Sequence, residues 1–300
     1  MQVDVTGPER GSVIAGIDGS KPAHRAALWA AQEAVRRGTA LHLVHGADTD
    51  SRALYVSVET IERVRRTGRE LLDDTAQAVT EQHPDLRVPK EFSRSGPVPS
   101  LRRAAARYGT IVVGNRGLGG FNSLMLGSVG LKVAAEATTP VIVVRGAEGR
   151  GDTDVVVVAV RDEHDLDCAR YGGREAELRT ASLRLLHVWN VLQSVGSVVT
   201  MLDDIEDIAG EHERSLTAVA EQVRHEFPDL NVEADAAKSM SVPAVLVEAS
   251  RHADLLVMGG RRSPGFIGST LGRATHSLVH HAECPVLLIP RNDTEHRGES

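Results

Sequence analysis

The chain is 300 residues long, carries a formal net charge of −7, and is 41% hydrophobic with only 3% aromatic residues. That acidity argues against a sequence-independent nucleic-acid binder, and no apolar run approaches the roughly 18 residues of a membrane-spanning helix. The length suits two domains, each able to bury its own core.

In chain order, Met1–Glu9 is short and polar, unlike a signal peptide. Ser12–Ile17 reads as a strand and Pro22–Arg37 as an alanine-rich helix, with Ser20 as its N-cap and Gly38 as its stop. Leu41–His45 is the second strand, and Ile61–Gln82 carries apolar residues at mostly helical spacing. Val88–Ser93 is strand three, Pro99–Tyr108 a helix, Ile111–Gly114 strand four, Ser128–Ala137 a helix and Val141–Val144 the last strand. The second half follows with strands Val155–Val160, Leu183–Val188, Asn231–Asp235, Leu255–Gly259 and Val286–Ile289. Strands alternating with helices, several of them apolar on both faces, predict an α/β fold with a parallel sheet covered on each side. The only cysteines, Cys168 and Cys284, form no C-x-x-C pair, so a reducing cytoplasmic setting is expected.

The chain repeats itself. Pro84-Asp85-Leu86-Arg87-Val88 returns as Pro228-Asp229-Leu230-Asn231-Val232, an offset of 144. Gly114 matches Gly259 and Leu126-Gly127 matches Leu271-Gly272 at 145, while His45 and His187 differ by 142. A period this long is a duplicated domain rather than a solenoid repeat. The join falls near Gly146–Asp152, so domains are expected over 1–147 and 152–292.

The most informative spacing is Gly114-Asn115-Arg116-Gly117, nine residues, then Gly127-Ser128, lying between strand four and a helix. Glycines there let backbone N–H groups approach a ligand, and the helix N-terminus favours an anion. Such a loop is a phosphate cradle or, alternatively, an ordinary glycine-rich connection. In open parallel sheets ligands sit beyond the carboxyl ends of the strands, where this loop lies. Strand one also ends there, in Ala15-Gly16-Ile17-Asp18-Gly19-Ser20.

With Asp18 closing strand one, Leu43-Val44-His45 closing strand two and G-x2-G-x9-G-S after strand four, the chain resembles the ATP-binding branch of the universal stress protein family, as a tandem member. The resemblance implies two Rossmann-like domains, each a five-stranded parallel sheet ordered 3-2-1-4-5, holding ATP, with or without Mg, and no obvious catalytic apparatus. It implies that Gly16 and Asp18 lie beside adenine and ribose, and Gly46 near adenine. Gly114, Asn115, Arg116 and Gly117 would line the ribose and phosphates, with Leu118, Gly119 and Gly120 as the lid of the loop. Gly127, Ser128 and Val129 would offer N–H groups, and the serine its hydroxyl, to the phosphates. Arg116 would add a cation, unless it is a solvated loop residue; Asp18 could equally be a carboxylate favoured by the helix dipole.

The second repeat departs from the pattern. Arg161-Asp162-Glu163 stands where the first has Asp18-Gly19-Ser20, Arg262 replaces the second glycine of the loop, and Arg273 replaces Ser128. These changes predict an empty or altered site, or else arginines that attract an anion without the N–H cradle. No metal set stands out: no His-Glu-x-x-His spacing occurs, and the adjacent His280 and His281 face different ways on a helix. No catalytic triad, P-loop or dinucleotide fingerprint is legible. The leading expectation is a stress-response regulator controlled by ATP occupancy. The alternatives are a slow ATPase or nucleotidyl-transfer enzyme of the same superfold, and a nucleotide-free interaction module. The last strands, Val141–Val144 and Val286–Ile289, are short and apolar. They are expected to be covered by pairing with each other as an intrachain pseudo-dimer, or across a homo-oligomer.

Overall fold

The computed structural model describes residues 11–52, 55–115, 127–146, 152–195, 198–201, 205–260 and 271–290. They divide into two compact units that meet at Arg145 and Gly146. The first unit runs β1 (Val13–Gly16), α1 (Lys21–Arg36), β2 (Leu41–Gly46), α2 (Thr49–Arg52), α3 (Val58–Gln82), β3 (Lys90–Ser93), α4 (Pro97–Tyr108), β4 (Ile111–Gly114), α5 (Ser128–Glu136) and β5 (Val141–Val144). Its strands pair in parallel in the order β3-β2-β1-β4-β5.

The second unit holds β6 (Val155–Val160), α6 (Leu166–Arg179), β7 (Ser182–Asn190), β8 (Leu192–Val195), β9 (Val198–Met201), α7 (Ile205–Glu226), β10 (Val232–Ser239), α8 (Val242–Ala249), β11 (Leu255–Gly259), α9 (Arg273–His281) and β12 (Val286–Ile289). Its parallel order, β10-β7-β6-β11-β12, reproduces that of the first unit. Between β7 and α7 it adds an antiparallel hairpin, β8–β9, that the strand-and-helix alternation does not predict. The short helix α2 is likewise an addition.

Local rules account for the boundaries. Ser20 accepts a hydrogen bond from the Ala23 N–H at 3.2 Å, which caps α1. Gly38, at φ +62°, ends the helix, and the N–H groups of Gly38 and Thr39 return to the carbonyls of Val35 and Ala34. The inner face of α1 is alanine at 23, 26, 27, 30, 31 and 34, all buried, which lets the helix lie close to β1 and β4. Strand three begins two residues later than its apolar pattern suggests. Arg87 and Pro89 only accept bonds, from the N–H groups of Leu41 and Leu43, and Pro89 has no N–H with which to extend the ladder. The long helix α3 begins three residues earlier than expected, because Ser57 caps it by accepting from the Thr60 N–H.

Each unit also buries an ion pair on its first helix. Glu33, fully buried, takes Arg36 at 2.9 Å and Arg37 at 2.7 Å. Glu175, equally buried, takes Arg179 one turn on, and both members lie 142 residues after their counterparts. Removing one member of such a pair strands the other charge away from water, at a cost of about 3–5 kcal/mol. Urea denaturation of Glu33→Leu should therefore show a loss of that order, whereas Glu62→Leu, which breaks an exposed pair with Arg65, should change stability by less than about 1 kcal/mol.

Candidate functional site at the carboxyl edge

In the first unit the ends of β1, β2 and β4 bring Gly16, Asp18, Gly46, Gly114 and Asn115 to one sheet edge. The Ile17 carbonyl, just past β1, lies 2.7 Å from Nδ1 of His45 on β2. A carbonyl only accepts, so His45 carries its proton on Nδ1 and ties the two strand ends together. Half-buried Asp18 turns back on the chain, and its Oδ1 accepts from the Ser20 N–H at 2.9 Å. Gly19, at φ +84°, makes that turn.

Two of the candidate glycines have packing reasons to be glycine. A Cβ on Gly46 would sit 2.6 Å from Cα of Pro97 at the start of α4, and one on Gly114 would sit 2.6 Å from the carbonyl oxygen of Pro22 in α1. Backbone of a neighbouring helix therefore passes directly over both strand ends. Gly16 is less constrained, since its nearest neighbour would be the Leu101 side chain at 3.2 Å.

The N-terminus of α5 joins this edge through a hydrogen bond from the Gly127 N–H to the Asn115 carbonyl, 3.2 Å long. Gly127 is the N-cap and provides no side-chain acceptor, so the first-turn N–H groups have none from the cap. Ser128 is exposed and Val129 half-buried. Beside them Oδ1 of Asn115 is buried without a hydrogen-bond partner among the described residues. An orphaned acceptor of this kind costs about 1–3 kcal/mol unless a ligand or water donates to it. Thr49, 3% exposed, has a similarly unpartnered hydroxyl. It lies just past β2 on α2, whose single turn is too short to give a periodic signal. Arg116, Gly117, Leu118, Gly119 and Gly120 lie outside the described residues.

The second unit keeps the strand tie and a glycine N-cap without a side-chain acceptor, Gly272 of α9, and differs at the other positions. His187 repeats the contact, with Nδ1 2.8 Å from the Val160 carbonyl. Arg161, in the place of Asp18, is bound to Asp165. Its guanidinium reaches both carboxylate oxygens at 3.0 and 3.1 Å, and its backbone N–H donates to one of them at 2.9 Å. Burial works against the Arg161 charge, but the hydrogen bond and proximity of Asp165 outweigh it, so its pKa is raised. Asp165 is itself 1% exposed and needs that cation. Arg161 is thus committed internally, and of the three arginines that could have drawn an anion it is removed. Arg273 is exposed at the first position of α9, and Arg262 lies outside the described residues. Cys168 and Cys284 are both buried.

The sequence matches the Universal stress protein family over residues 9–145 and again over 153–290. The chain belongs to that family. Universal stress proteins of Mycobacterium tuberculosis, from strains H37Rv and CDC 1551, are 29% identical to it over 287 residues, which cover 95% of this chain and 98% of theirs. One from Mycolicibacterium smegmatis is 39% identical over 133 residues, 44% of this chain and 45% of that protein. Among solved structures, a universal stress protein from Archaeoglobus fulgidus superposes with a TM-score of 0.70 at 17% identity, covering 93% of this chain and 98% of its own. A putative universal stress protein from Pseudomonas aeruginosa gives 0.60 at 15% identity, covering 93% and 92%. These likenesses establish the tandem α/β fold. Among the described residues no helix is long and apolar enough to cross a membrane, and no group of three or more His, Cys, Asp or Glu could hold a metal ion.

The packing of Gly114 can be separated from any role toward a ligand. In protein stripped of ligand, Gly114→Ala should lower stability by about 1–3 kcal/mol, because the new methyl meets backbone that cannot give way. Gly272→Ala, where nothing lies within 4 Å of the added Cβ, should cost less than about 1 kcal/mol. Equal effects in urea denaturation would assign Gly114 to ligand approach rather than to packing.

Proposed function

We propose that the chain is a cytoplasmic, ATP-binding stress-response regulator in which the first repeat is the nucleotide site and the second is not. The observation that carries this reading is the pairing of two unmet needs at one edge. The α5 N-terminus has no side-chain cap, and among the described residues the neighbouring Asn115 Oδ1 has no donor. Phosphate on the N–H groups of Ser128 and Val129, with a ribose hydroxyl donating to Asn115, satisfies both. Asp18 takes the nucleoside side, the backbone at the strand ends Gly16 and Gly46 lies beside it, and Gly117 lets the loop backbone close on the phosphates. Arg116 supplies a cation, and Leu118, Gly119 and Gly120 cover the ligand. Three charge-assisted contacts at about 1.5–3 kcal/mol each suffice for micromolar affinity near −8 kcal/mol. Occupancy then changes the state of the loop, and through it the surface offered to partners.

In the second repeat an arginine committed to Asp165 replaces Asp18, and Arg273 stands where Ser128 would meet phosphate. Calorimetric titration of ligand-stripped protein with ATP should give one site per chain. Gly117→Ala should weaken that site at least tenfold. Asp18→Ala should weaken ATP more than inorganic triphosphate, and Arg262→Gly should leave the first site unchanged. Two equal sites, or full binding by Gly117→Ala, would overturn the assignment.

The same reading covers the short apolar strands β5 and β12 by pairing, either with each other or across a homodimer. Light scattering of Val143→Lys should then show a changed mass or a loss of soluble protein; an unaltered, equally stable species would exclude β5 as an interface.

A further inference from the structure

His187 of the second repeat does more than tie strands. Its Nε2 lies 2.8 Å from Nδ1 of His212 on α7, and the His212 ring stacks on Trp189 at 4.8 Å and 22°. His187 and Trp189 are 4% and 6% exposed. The first repeat is built differently at the same places. There Phe92 lies across from His45 in the strand register, with ring centroids 5.8 Å apart, and α3 passes over them as Gly68. A Cβ at Gly68 would come within 2.5 Å of Phe92 and 2.8 Å of His45. In the second repeat Ala236 takes the register position of Phe92, and His212 stands 144 residues after Gly68. The large ring has moved from the strand to the helix, and with it has come a second titratable group.

Hydrogen-bond logic fixes the protons. The Val160 carbonyl requires the His187 proton on Nδ1, which leaves its Nε2 as an acceptor. His212 must then donate from Nδ1. One added proton can sit on Nε2 of His212 and leave this bridge intact. A second proton, on Nε2 of His187, sets two donors against each other. We infer that His187 and His212 form a proton-operated latch that holds α7 over the sheet edge of the second repeat at neutral pH and releases it in acid.

The charged groups on surrounding elements are otherwise engaged or play no part. Asp165 is bound to Arg161, Arg170 of α6 to Asp167 and Glu226, and Asp235 of β10 to Arg184. Glu163 and His164 complete the turn beside α7, and the groups that act on His212 are His187 and Glu211. Burial first, and then His187, hold His212 below the usual histidine range, against the opposite pull of Glu211. A detached imidazole takes up its proton near pH 6.5, the attached one lower. The latch is therefore at full strength above about pH 6.5 and weakens as the pH falls through that value toward the depressed one. A metal ion bridging the pair would need further donors, and no group of three potential ligands exists among the described residues.

Two measurements on the full chain test the latch. Nitrogen-15 NMR of the imidazoles at pH 8 should find both His187 and His212 as the Nδ1–H tautomer, the minor form of free histidine, and His212 should take up its proton below the usual histidine range. In a Trp29→Phe background, which leaves Trp189 as the sole tryptophan, fluorescence should change with a midpoint below pH 6.5, and His212→Phe should abolish that step while keeping the stack. Nε2–H tautomers, or a His212 that protonates at the ordinary histidine value, would overturn the proposal, as would a fluorescence step that survives His212→Phe. Should His212→Phe not fold, the tautomers of the unmodified chain decide alone.

Discussion

Parallel hydrogen bonding of each repeat's first strand between its second and fourth strands is the constraint on which the rest depends. It places β1 between β2 and β4, and β6 between β7 and β11. Every strand then runs out at the same edge, where the last carbonyls would face solvent or ligand without a ladder partner. In both repeats a histidine from the second strand takes the carbonyl just past or at the end of the first, Ile17 in one and Val160 in the other. That contact fixes the edge as a rigid ledge. The helices behind it are set by close packing, with Pro97 against Gly46 and Pro22 against Gly114.

On that common ledge the two copies have diverged in compensated sets rather than by scattered loss. Arg161 entered together with a buried carboxylate, Asp165, able to hold it. His212 stands where the strand has Ala236 in the register position that Phe92 holds in the first repeat, and Trp189 supplies the surface on which it stacks. A lone arginine in place of Asp18, or a histidine at Gly68 beneath an unchanged Phe92, would have cost a desolvated charge or a steric clash. The buried Glu–Arg pairs of α1 and α6, by contrast, survive at matching positions, as befits a contact that serves the core and is indifferent to the edge.

Much of this was legible in the sequence because the period of burial is simple. The β1, β4 and β6 segments are apolar runs bounded by glycine or charge, and the strand order follows from the family that the edge motifs resemble. The β8–β9 hairpin lies outside the strand-and-helix alternation, although Gly-Ser between two apolar runs, as at positions 196 and 197, is a hairpin signal in a sequence. The family resemblance puts Gly46 and Gly114 beside a ligand, whereas the helix backbones packed over them are contacts between residues far apart in the chain, which no local pattern shows. For the same reason the His187–His212 pair has no local signature. It exists only once β7 and α7 are packed together, and a comparison of the repeats at 142 and 144 residues' offset is the signal that could have exposed it.

Under the proposed function one fold, duplicated, keeps its nucleotide chemistry in the first copy alone. A crystal structure of the full chain grown with a non-hydrolysable ATP analogue tests it most directly. A single nucleotide is expected, its phosphates on the N–H groups at Ser128 and Val129 and its nucleoside beside Asp18, with Arg161 still bound to Asp165 in the other repeat. A nucleotide seated at Gly272 and Arg273, with or without one at the first site, would contradict it.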